Sequence, residues 1–78
     1  MKPLKVRFSR FEGSGTQHPI FKDSQGNEYF WPENDNVDMR VAERNFWDEL
    51  GYNKKLSYKI IFTESSNKKL IEGIHGLK

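Results

Sequence analysis

Tyr29 and Trp31 stand on either side of Phe30. On a strand, the two outer rings of such a triplet share one face and the middle ring takes the other. Turned outward, Tyr29 and Trp31 would offer unpaired bases a stacking platform worth about 1 to 3 kcal/mol per base. Arg7, on the basic side of an early strand, would add a phosphate contact. Turned inward, the same rings would fill the core, because large aromatics supply most of what a small core can bury. The residues leave both orientations open. A second constellation is Arg40, Arg44 and Trp47, side by side on a helix in the composition of a protein-contact anchor. There too a plainer role exists: Arg44 pairing with Asp48 one turn on, and Trp47 extending the core. A third group, Lys54, Lys55, Lys59, Lys68 and Lys69, gathers around the last hairpin, where lysines either hold an anion or keep strand edges soluble.

Other chemistries find little to work with. His18 and His75 lie in different terminal regions with no nucleophile or ligand at a working spacing, although the two could meet in space. The run Glu33-Asn34-Asp35-Asn36-Val37-Asp38 is rich in oxygen ligands but lacks the central glycine of a calcium loop, so it reads as a helix cap. No glycine-rich loop leads into a helix to cradle a phosphate. Neither a metal nor another cofactor is expected, and no enzymatic activity. The chain has no cysteine and no long apolar run, which fits a reducing cytoplasm and no membrane anchor.

The elements that must position these residues are short. Leu4, Val6 and Phe8 alternate with Lys5, Arg7 and Ser9 as on a half-buried strand, and Phe11 falls out of phase, which predicts a bulge or bend near Arg10 or a strand ending at a loop. Gly13 to Thr16 is a flexible connection into the strand His18 to Lys22. Asp23-Ser24-Gln25-Gly26-Asn27 reads as a hairpin turn, and Glu28 to Trp31 returns as a third strand that Pro32 stops. Asn36 or Asp35 caps a helix over 37–50, Asp38 suits its dipole, and Gly51 ends it. Met39, Ala42, Phe46 and Leu50 form its apolar stripe, while Val37 and Val41 fall off that stripe without an assigned place. Leu56, Tyr58, Ile60 and Phe62 alternate as a fourth strand, and Ser65 to Lys68 turns it back into a fifth, Lys69 to Ile74. Seventy-eight residues fit one domain, residues 1–78. Val6, Phe8, Phe30, Ile60 and Phe62 are its expected core, with Met39, Phe46 and Leu50 sealing one end.

The resulting order, β-β-β-α-β-β with the helix between the third and fourth strands, is that of an OB-fold, a small five-stranded barrel. The chain also resembles the cold-shock domains of that family in Val6-Arg7-Phe8-Ser9-Arg10, in Asp23 to Trp31, which looks like their second nucleic-acid motif, and in its last two strands. Gly13 to Phe21 keeps only fragments of their first motif, and the helix is longer than their usual connection. The resemblance implies a non-enzymatic module binding single-stranded RNA or DNA through Arg7, Phe21, Tyr29, Trp31 and Lys59 on an open sheet face.

Charge patterning supports a rival reading. Net charge is +2, yet residues 2–10 and 54–69 are basic and residues 33–49 acidic, so the folded molecule should be electrically two-sided. The alternative function is a small protein-binding inhibitor or adaptor, of the kind a virus or mobile element encodes, acting through the acidic helix region with Arg40, Arg44 and Trp47. Exposure of Tyr29 and Trp31 on a basic sheet would favour the first reading. Their burial, with an apolar patch around Trp47, would favour the second.

Overall fold

The computed structural model describes residues 3–33, 36–50 and 57–75. Five strands, β1 (Leu4–Glu12), β2 (His18–Lys22), β3 (Glu28–Tyr29), β4 (Ser57–Ser65) and β5 (Lys68–His75), surround one helix, α1 (Val37–Leu50), in the expected chain order. They form one antiparallel sheet in the spatial order β3-β2-β1-β4-β5.

Ser9 is the extra residue of a bulge in β1: Phe8 lies opposite Phe21, whereas Arg10 lies opposite Ile20. One inserted residue reverses the alternation, so Phe8 and Phe11 both reach the helix side, their ring centroids 4.8 Å apart. The strand therefore continues through the irregularity and does not end there. A second shift between Ile61 and Phe62 leaves Glu72 unpaired on β5. Ser66 and Asn67, both with positive φ, make the two-residue turn of the β4–β5 hairpin.

The β2–β3 turn is organised by Asp23. Its carboxylate accepts from the Gln25 and Asn27 amides and from the Tyr29 hydroxyl, each at 2.9 Å. Gly26 supplies the positive φ of 86° that closes this loop. The helix begins as its cap predicts, with Asn36 Oδ1 accepting from the Met39 N–H at 2.9 Å. The alternative cap Asp35, the stop at Gly51, Leu56 and the side chain of Leu50 lie outside the described residues.

The third strand is shorter than the sequence suggests, and the expected barrel does not close. Phe30 leaves β2 and makes a single parallel bridge to Leu70 of β5. Its N–H donates to the Lys69 carbonyl at 2.8 Å, and its own carbonyl accepts from the Ile71 N–H at 2.9 Å. The next bond of such a ladder would come from the N–H of residue 32, and that residue is proline. Among the described residues, no other backbone hydrogen bond joins the two outer strands.

The core lies between sheet and helix. Val6, Phe21, Tyr29, Trp31, Met39, Phe46, Tyr58, Ile60 and Ile71 are buried in one cluster, with Phe8, Phe62 and Ala42 packed partly against it. Of the expected core, Val6 and Ile60 are buried and Phe8 and Phe62 half-buried. Phe30 is outside the cluster, because its backbone is drawn out to the β5 bridge. Met39 and Phe46 pack as the stripe requires, and the Phe46 ring lies 5.4 Å from Phe21 and 5.6 Å from Tyr58, both edge-on.

Candidate binding surfaces

Phe21, Tyr29 and Trp31, the rings expected to stack on bases, are all buried. Tyr29 and Trp31 both point inward, on the shared face that alternation gives them, on either side of the Phe30 bridge. The core reading of this triplet therefore holds, and no stacking platform forms from it. Burial, reinforced by the hydrogen bond to Asp23, pushes the Tyr29 hydroxyl up to about 12. Phe30 alone stays half-exposed, with Lys68 Nζ 5.3 Å from its ring centroid. It borders a groove of about 660 Å3 that also takes in His18, Trp31 and Leu70.

Arg7 and Lys59 are exposed, and the register brings further cations to them. Arg7 faces Lys22 across the β1–β2 pair. Lys5 faces Lys59 across β1–β4, and Lys59 faces His75 across β4–β5. Partners in register share a face, and Val6 and Tyr58, the neighbours in the chain, point the other way into the core. Lys5 and Lys22 were not singled out in the sequence, although the alternation of β1 already puts Lys5 beside Arg7. Of the lysines of the last hairpin, Lys59 stands apart from Lys68 and Lys69. Lys59 sits six residues along β4 from the end that faces Lys68, roughly 20 Å away, while Lys54 and Lys55 lie outside the described residues.

On α1, Arg40, Arg44 and Trp47 are exposed as the helical spacing requires. Trp47 lays one face on Phe11, ring centroids 4.1 Å apart and planes within 5°, and keeps 46% of its surface. Val37 and Val41, one turn apart, are 66% and 50% exposed. These two were the residues without a place; their signal was a pair of β-branched side chains at i and i+4 off the core stripe. The possible Arg44–Asp48 pair is not made, and neither Arg40 nor Arg44 has an ion-pair partner among the described residues.

His18 and His75 stay apart: one faces Glu12 and the other Lys59, at opposite ends of β1. His18 Nδ1 instead meets Glu43 Oε2 at 2.6 Å, tying the start of β2 to the helix. The Tyr58 hydroxyl is buried without a hydrogen-bond partner among the described residues, and burial, with the Glu49 charge, raises its pKa. Among the described residues no three His, Asp or Glu side chains could hold a metal, and no helix is long and apolar enough to cross a membrane. Asn36 is occupied as a cap, and Asn34 and Asp35 of the same oxygen-rich run lie outside the described residues.

No protein-family model, curated protein or solved structure matches this chain. No match identifies the five-stranded sheet with its one helix as an OB-fold or a cold-shock domain.

Proposed function

We propose that this chain is a non-enzymatic protein-binding module whose contact surface is the outer face of α1, formed by Val37, Arg40, Val41, Arg44 and Trp47. One observation carries the reading. Val37, Val41 and Trp47 are the large hydrophobic side chains exposed among the described residues, and all three stand on one helix. Solvated helix faces are ordinarily polar. Apolar side chains interleaved with arginine are the composition of contact anchors. Among the described residues Arg40 and Arg44 have no carboxylate partner, so the partner in this reading is a protein whose apolar contact is bordered by Asp or Glu. Base stacking is not part of this reading, because Phe21, Tyr29 and Trp31 are core. For the fold we propose a partly open, OB-like arrangement, supported by the order of elements and by the bridge between Phe30 and Leu70.

The test is site-specific photocrosslinking in source cells, with the crosslinker at Val41 or, as a control, at Ser57 on the sheet. A protein trapped from Val41 alone is then purified and titrated against wild type and the Val37→Ser/Val41→Ser variant by calorimetry. Both changes are on the surface and should leave the thermal midpoint nearly unmoved. Loss of about 2 kcal/mol of affinity, roughly 30-fold, is the expected result. Equal trapping from both positions, or unchanged affinity of the variant, overturns the proposal.

A further inference from the structure

We infer that the solvent face of the sheet, opposite the helix, is a second and separate binding surface, made by Lys5, Arg7, Lys22 and Lys59 for the phosphodiester backbone of a nucleic acid. It is independent of the helix reading above. Strand register carries it: Lys5 opposes Lys59, and Arg7 opposes Lys22. Like charges directly opposite one another destabilise a sheet, and here the pattern occurs on both sides of β1. His75 extends it to β5, opposite Lys59.

The face is only partly neutralised from within, among the described residues. Among the described residues, Lys5, Arg7, Lys22 and Lys59 make no ion pair, whereas Arg10 on the same strand binds both Glu12 and Glu28. Glu28 stands opposite Lys22 and feels its charge, but its carboxylate is hydrogen-bonded to Arg10. Asp23 follows Lys22 in the chain, yet its oxygens are occupied by Gln25, Asn27 and Tyr29. In a molecule of net charge +2, four cations on one face without an ion-pair partner among the described residues concentrate positive potential where an anion can approach.

Geometry selects the kind of anion. Lys5 and Arg7 are about 6.6 Å apart along β1, and the opposed pairs stand about 5 Å apart across it. A linear polyanion with regularly repeated charges fits such an array better than a single small anion. A groove of about 510 Å3 lined by Lys5, Arg7 and Lys22, and also by Asp23, Leu4 and Val6, extends the surface toward the β2–β3 turn. Among the described residues the exposed large apolar side chains are on the helix, and none stands on this face to insert into a lipid surface, as stable interfacial binding requires. With no exposed aromatic ring on it among the described residues, the surface reads phosphates and not bases.

Fluorescence anisotropy with a labelled oligothymidylate, titrated at several salt concentrations, tests this. Wild type should bind at low salt, with log K falling against log salt by about 0.7 per phosphate contacted, or about 3 in all. The Lys5→Gln/Arg7→Gln/Lys59→Gln variant should lose about 2 of that slope and bind at least tenfold more weakly, and Lys22→Gln should lose part of it. Lys68→Gln/Lys69→Gln at the far hairpin turn and Val37→Ser/Val41→Ser on the helix should bind like wild type. Thermal midpoints of all variants verify folding. No binding at low salt, an equal loss from the Lys68/Lys69 control, or capture by anionic phospholipid vesicles but not by the oligonucleotide overturns the inference.

Discussion

Asp23 holds the β2–β3 turn through four donors, the Gln25 and Asn27 amides, the Asn27 side chain and the Tyr29 hydroxyl. Chiefly the hydrogen bond from the Asn27 side chain holds its carboxyl down to about 2. A carboxyl with a depressed folded pKa contributes stability above its unfolded value, near 3.9, and loses it as pH falls through the folded value. Thermal midpoints measured between about pH 4 and pH 2 should therefore fall in wild type and fall less in Asp23→Asn. Parallel curves for the two proteins would mean that the turn does not depend on the charge. Individual residues were legible in the sequence where local chemistry decides them: Asp23 in its turn and Asn36 at its cap. Tyr29 and Trp31 were not, since alternation says that they share a face but not which face. That choice depends on the bridge at Phe30, made to a residue forty positions away.

At the scale of elements, the first two strands, the hairpin turns and the helix follow from periodicity and turn residues, because both act between near neighbours in the chain. The bulge at Ser9 was legible as the phase error of Phe11. What alternation cannot supply is which strand lies beside which. The opposition of Lys5 to Lys59 appears only when β1 pairs with β4 across an intervening helix. That opposition has a cost that mutation can recover. Lys59→Glu places an acid between Lys5 and His75, and opposite charges across strands contribute about 0.2 to 1 kcal/mol. The variant should unfold at a higher denaturant midpoint with the same slope, while losing oligonucleotide binding. A variant less stable than wild type would show that Lys5 and Lys59 are already balanced by other groups.

Over the whole molecule, the sheet has a closed side and a weak side. β1 lies at its centre between β2 and β4, with Val6, Tyr58 and Ile60 buried beneath it. Among the described residues, the two outer strands are hydrogen-bonded to each other only through Phe30, since Pro32 cannot donate the bond that would extend the bridge. The sequence shows this proline as the end of a strand. It cannot show that the proline also limits closure, because the partner ladder is β5. Proteins open first where few buried contacts and few hydrogen bonds hold a segment. The Phe30 and Ile71 amides, which make the bridge, should then exchange with deuterium before those of the β1–β4 ladder, at denaturant concentrations below the global transition. Pro32→Ala restores the missing N–H opposite the Ile71 carbonyl, and it should slow exchange at Phe30 and Ile71 while leaving the β1–β4 amides unchanged. Simultaneous exchange of all these amides in wild type would mean that one bridge suffices to make the sheet a single cooperative unit. Exchange at Phe30 and Ile71 unaltered by Pro32→Ala would show that something other than the missing donor keeps the outer strands apart.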